Sequence, residues 1–190
     1  IDPVPAERVV EIEDGTLLDW GTRQWRFLHT RGHANHHFVL WDSALQASFT
    51  GDSFGVYYPS LQKGGLFIFP STSPTDFDAE EARISVEKIS SLPGDRALLT
   101  HFGELRGLNA AAVQLYDWID FSEQLVKEVQ RQGFSGAPAQ AFCEERLNAR
   151  FEEEMRQRGV YGPQAWKLTG IDRKLNAMGL AYAAGKNSLK

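Results

Sequence analysis

The 190-residue sequence changes period near residue 105, and that change constrains the fold more than any single motif. Before it lie short apolar runs broken by turns. Residues 8–12 (RVVEI), 24–29 (QWRFLH), 37–41 (HFVLW), 46–50 (QASFT) and 96–100 (RALLT) are rich in β-branched and aromatic side chains and bounded by Gly, Asp or Asn. That composition at that length predicts strands. Glu13-Asp14-Gly15-Thr16 predicts a hairpin turn, and Gly64-Gly65 before LFIFP a loop and a further extended piece. Between the last two main strands, Asp76 or Asp78 can cap a helix over 79–92, where Ala82, Val86 and Ile89 recur at helical spacing and Pro93-Gly94 ends the run. Strand–helix–strand order implies layers of the α/β kind. After residue 105 the apolar period becomes helical. Val113, Leu115, Trp118, Phe121, Leu125, Val126 and Val129 make a stripe within a helix over 110–132, and two more helices are predicted over 138–158 and 166–184. The division expected is a strand-rich unit over 1–105 and a helical extension over 106–190, with frayed ends at 186–190.

Composition narrows the partners. The net charge of −5 and a pI near 5.6, with Lys and Arg scattered, give no electrostatic basis for nucleic-acid or membrane-surface binding. No apolar run approaches the ~20 residues that span a bilayer. With one cysteine there is no internal disulfide, and Cys143, within AFCEERLNARF, reads as a buried structural thiol. No signal peptide is visible, so a cytoplasmic location is expected. The sequence opens at Ile1, and a segment ahead of it is expected.

The chemistry gathers in the strand-rich part. Four of the five histidines, His29, His33, His36 and His37, fall in LHTRGHANHHFVLWD, and the fifth is His101 in LLTHFGE. Imidazole is the commonest metal ligand, and ligands need to converge from rigid elements. Asp52 follows Gly51 at the end of a predicted strand, and His101 ends another; strand ends in layered α/β folds are where sites are built. A turn for Gly51-Asp52 and a surface place for each histidine are the competing readings.

Taken in order, strand–TRGH–strand–FTGD–helix–strand–LLTH resembles the second half of the metallo-β-lactamase superfamily, over about residues 5–105. The resemblance implies an αββα sandwich, of which this chain holds the second half, followed by a C-terminal helical extension. It also implies that Asp52 bridges two metal ions, that His33 ligates one and His101 the other, and that the metals are zinc, with iron or manganese as alternatives. One of His36 and His37 is expected to orient a ligand or line the mouth, and His29 is read as structural. Tyr57, Tyr58 and Phe54 follow the GD motif, either lining a substrate pocket or packing. The family's His-x-His-x-Asp-His motif is absent from this chain. The chain alone therefore offers one histidine per metal plus the bridge, fewer than the three or four protein ligands usual for zinc. A fragment, a chain completed by a separate N-terminal half, and a degenerate metal-free member are all open; the fragment is the favoured reading. A half fold exposes a sheet face, so association with the missing half, a partner chain or a second copy is expected. The function implied is a metal-activated-water hydrolase of a small molecule, inactive or incomplete as the isolated chain. A mononuclear iron enzyme of the persulfide dioxygenase kind and a metal-free interaction module are the alternatives.

Overall fold

A computed structural model describes residues 3–72, 74–101 and 103–186. Six strands form the main sheet: β1 (Leu17–Trp20), β2 (Arg23–His29), β3 (Phe38–Asp42), β4 (Ala47–Gly51), β7 (Arg96–Leu99) and β8 (Gly103–Arg106), in that spatial order. A second, two-stranded sheet pairs β5 (Val56–Tyr57) with β6 (Ile68–Phe69). Five helices follow or interleave: α1 (Ala79–Ser90), α2 (Leu108–Gln132), α3 (Gly136–Gln157), α4 (Pro163–Leu168) and α5 (Gly170–Lys186).

All neighbours in the main sheet are antiparallel except β4 and β7, which are parallel and joined through α1. Because β2 and β4 both run opposite to β3, the chain direction is shared by β2, β4 and β7. Their C-terminal ends therefore lie at one edge of the sheet, and the loops that leave them meet there. Asp78 caps α1 by accepting from the Glu81 N–H at 3.0 Å, so the capping read from the sequence falls on the second of the two aspartates. The start of α2 is closed by Asp95, whose carboxylate accepts from the Gly107 and Leu108 N–H groups at 2.9 and 2.8 Å.

The register sorts the two faces of the sheet. Val39, Ala97, Leu99 and Leu105 point to one side and pack with Val86 and Ile89 of α1 and with Leu115 and Ile119 of α2. On the other side Phe27, Leu40, Phe49 and Leu98 lie in one row across β2, β3, β4 and β7. No helix covers this face among the described residues, and Phe38 and Phe49 stand 48% and 43% exposed on it. A second core, around Phe67, Phe69, Trp118, Phe151 and Met155, binds α2, α3 and α5 to the β5–β6 sheet. Its rings are in close contact, with Phe69 and Phe151 centred 4.7 Å apart. Cys143 is buried in this core, and burial pushes its thiol up to about 12, so it is protonated and inert at neutral pH.

Two expectations need correction. Residues 8–12 form no strand: Ala6–Arg8 is a 3-10 turn, and Val9 and Val10 are 55% and 76% exposed. A β-branched run needs a ladder partner, and none of the described residues pairs with it. The first strand is instead Leu17–Trp20, joined to β2 by the two-residue loop Gly21-Thr22, with Gly21 at φ 61°. The helix expected over 166–184 is two helices, α4 and α5, separated at Thr169. Residues 187–190 lie outside the described residues.

Candidate metal centre

The loops after β2, β4 and β7 bring His33, Asp52 and His101 together. Asp52 Oδ1 lies 3.1 Å from His101 Nε2, and Asp52 Oδ2 lies 3.7 Å from His33 Nε2. One carboxylate thus faces an imidazole nitrogen with each of its oxygens. His33 and Asp52 are largely sheltered, with side chains 19% and 24% exposed, while His101 is half open at 50%.

His33 and Asp52 are held by neighbours whose identity the geometry requires. Gly32 has φ 108°, and a Cβ built on it would sit 2.4 Å from the Ala82 nitrogen of α1. Only glycine lets the loop press this closely onto the helix. The contact is locked by the Asp78 N–H donating to the Gly32 carbonyl (3.0 Å) and the Ser85 hydroxyl donating to the Arg31 carbonyl (2.6 Å). His33, next in the chain, is directed inward, with Nδ1 3.1 Å from the Ser71 carbonyl. A carbonyl only accepts, so Nδ1 donates its proton there and Nε2 is the nitrogen turned to the Asp52 side.

The Asp52 turn is fastened by His37. The Asp52 N–H donates to His37 Nε2 at 3.1 Å, and His37 Nδ1 lies 2.8 Å from Ser53 Oγ and 3.1 Å from Thr30 Oγ1. With Nε2 accepting, the His37 proton sits on Nδ1. Burial holds the His37 pKa below the usual imidazole value, reinforced by the neighbouring His33, so the ring is neutral. Gly51 completes the fit: at φ 50°, a Cβ there would lie 2.3 Å from His37 Nε2. His37 is therefore a latch on the backbone of the Asp52 turn. His36 is exposed on the outside of the loop. His29 closes the base of the same loop, its Nε2 donating to the Asn35 carbonyl at 2.8 Å.

The aromatic residues after the GD motif part company. Phe54 is fully buried in the core beneath the sheet. Tyr58 is buried and its hydroxyl donates to Asp172 of α5, a packing role. Tyr57 is half-buried and lines an open cleft of about 410 Å³ with Gln62, Glu104 and Arg106. The partners Thr30, Ser53 and Ser71 escape a reading of the sequence. Two act through hydroxyls of ordinary loop residues and the third through a main-chain oxygen, which leaves no mark in the sequence.

The donor set suits one part of a metal centre. A carboxylate with one oxygen toward each of two imidazole nitrogens has the chemistry of a bridging ligand between two cations. The number of donors is short, at one histidine and one shared carboxylate for each ion. Among the described residues no group of three or more His, Cys, Asp and Glu side chains is arranged as a formed cage.

This fold is that of a known class. The sequence profile of the metallo-beta-lactamase superfamily matches residues 2–101, and the chain belongs to that superfamily. Its members are generally metal-dependent hydrolases and commonly bind metal ions, typically zinc. The chain is 38% identical over 69 residues to the metallo-beta-lactamase fold-containing protein ST1585 of Sulfurisphaera tokodaii, a stretch covering 36% of this chain and 23% of that protein. The crystal structure of ST1585 from Sulfolobus tokodaii matches 94% of this chain and 54% of that one, with a TM-score of 0.56 and 20% identity. The family protein TTHA1429 from Thermus thermophilus matches 97% of this chain and 51% of that one, with a TM-score of 0.58 and 14% identity. The two structures share the fold with this chain, which spans about half of their length. Among the described residues, no helix is long and apolar enough to cross a membrane.

Proposed function

We propose that this chain supplies one part of the donor set of a zinc-dependent hydrolase acting on a small molecule, and that a further polypeptide segment completes the centre. The observation that carries this reading is the Asp52 carboxylate, set with Oδ1 toward His101 and Oδ2 toward His33. In it Asp52 bridges, and His33 and His101 each hold one ion. A bound zinc pair would supply a hydroxide near neutral pH and polarise the scissile bond. The chain's own contribution is placement. Ser71 fixes which nitrogen of His33 is free, and His37 and Gly51 fix the turn that carries Asp52. His101, the most open of the three, sits where substrate enters.

The remaining donors are proposed to come with a second sheet packed on the uncovered row Phe27, Leu40, Phe49 and Leu98. An apolar sheet face of this kind is stabilised by covering it. The relatives' further length, about half of each solved structure, is the natural source of that second sheet.

Elemental analysis and zinc titration test the reading. The 190-residue chain is expected to hold zinc weakly, and the Asp52→Ala, His33→Ala and His101→Ala variants to hold less. Turnover of an ester, thioester, lactone or phosphodiester panel is expected only when the missing donors are present. Zinc held equally well by the triple alanine variant would overturn the assignment.

A further inference from the structure

His33 depends on the Ser71 carbonyl, and Ser71 lies in an irregular stretch between β6 and α1. What holds that stretch is a side chain far along the sequence. Asn176 of α5 is 5% exposed. Its Oδ1 accepts from the Thr72 N–H at 2.9 Å, and its Nδ2 donates to the Pro70 carbonyl at 2.9 Å. The Thr72 hydroxyl donates back to the Asn176 carbonyl at 3.2 Å. The two residues flanking Ser71 are therefore pinned to a single helix position. Both partners on the loop are backbone groups of fixed sense, one donor and one acceptor, so they also set the amide's orientation. With Pro70 and Thr72 pinned, the direction of the carbonyl between them is set. That carbonyl in turn decides that Nδ1 of His33 carries the proton and that Nε2 faces Asp52.

We infer that Asn176 is a positioning residue for His33, and that the C-terminal helices are a working part of the site, not only a cover over the sheet. The inference rests on the proposed reading of His33 as a metal ligand. Asn176 itself touches neither His33 nor Asp52; it acts through three loop residues. Partners that orient a ligating histidine in this way typically change metal affinity by one to two orders of magnitude when lost.

The test compares Asn176→Ala with Leu147→Ala in the 190-residue chain. Leu147 is buried on α3 in the helical core and makes none of the hydrogen bonds that hold residues 70–72. Its loss lowers stability while leaving those hydrogen bonds in place. Two readouts are taken at a temperature where both variants are folded: the imidazole nitrogen shifts of His33 without metal, and the affinity for zinc ions alone. In the parent chain and in Leu147→Ala, the Nδ1 resonance of His33 is expected at the position of a nitrogen whose N–H is held by the Ser71 carbonyl. In Asn176→Ala that resonance is expected to shift as the hydrogen bond is lost, and zinc affinity to fall roughly tenfold. Identical His33 spectra and affinities in the two variants would overturn the inference and leave Asn176 as packing. Should Asn176→Ala not fold, Asn176→Asp keeps the acceptor for Thr72 and loses the donor to Pro70. A His33 spectrum unchanged in that variant overturns the inference equally. The two readings fail separately. If the parent chain binds no zinc, the metal assignment falls, and the imidazole spectrum alone decides whether Asn176 positions His33.

Discussion

The geometry at Gly51 shows how tightly one residue can be specified by what lies beside it. Two constraints coincide there. The backbone is left-handed, at φ 50°, and the space where a side chain would begin holds the His37 ring that fastens the Asp52 N–H. Gly21 offers the comparison: its φ is 61°, and a Cβ there meets nothing within 4 Å. Gly21→Ala isolates the conformational cost, about 1–2 kcal/mol. Gly51→Ala carries that cost and also drives the latch from the turn, so a larger loss is expected, about 3 kcal/mol. Thermal melts of the two variants give the difference in stability. Zinc titration then separates their consequences: Gly21→Ala is expected to bind as the parent chain does, and Gly51→Ala more weakly. Equal melts and equal binding would mean that His37 swings aside at no cost and is no latch.

Among the elements, β2 and β3 are tied by one buried carboxylate. Asp42 is 1% exposed and accepts four hydrogen bonds, from Arg23 Nη1 (3.0 Å), Trp25 Nε1 (2.9 Å) and the Ala44 and Leu45 N–H groups (2.9 and 3.0 Å). Burial works to raise its pKa, but the hydrogen bonds outweigh it and hold the carboxyl below the usual range. A depressed folded pKa means that the contribution is fully present above about pH 4 and is lost as pH falls through the folded value. Asp42→Asn leaves two donors facing an amide NH₂ and is expected to cost about 2–3 kcal/mol at pH 7. That gap should narrow in denaturant melts taken below about pH 4; a gap that stays constant under stronger acid would refute the role of the charge. The elements also show what the sequence could reveal. β2, β3, β4, β7 and α1 were readable because their apolar residues follow the period of the element. The convergence of His33, Asp52 and His101 was readable as strand ends. β8 was not, since Gly-Glu-Leu-Arg turns only Leu105 inward, and β1 was hidden because all of its residues are exposed. Asn176 looked like one polar residue in a helix, because its partners are backbone groups far from it in sequence.

For the whole molecule, the two faces of the main sheet make opposite demands. One is sealed by α1 and α2 around Val39, Ala97 and Leu105. The other carries Phe38 and Phe49 in the open, with the stacked rings of Trp20 and Trp25 near its β1 edge, 5.5 Å apart. Burying such rings is worth about 25 cal/mol for each Å² of apolar surface removed from water, and in the isolated chain that gain is unrealised. The site lies at the edge of this same sheet, so a second sheet laid on the open face brings its own loops beside Asp52. On the proposed function, covering the face and completing the metal centre are then one event. Replacing Phe38 and Phe49 by serine separates the consequences. Neither ring belongs to the sealed core, so the melting temperature of the isolated chain is expected to move by only a few degrees. Sedimentation velocity is expected to show self-association of the parent chain falling away in the double variant. Mixed with a polypeptide carrying the relatives' remaining half, the parent chain is expected to form a one-to-one complex with raised zinc affinity, and the double variant to form little of it. A double variant that assembles as well as the parent would place the second sheet elsewhere and separate the open face from the metal centre.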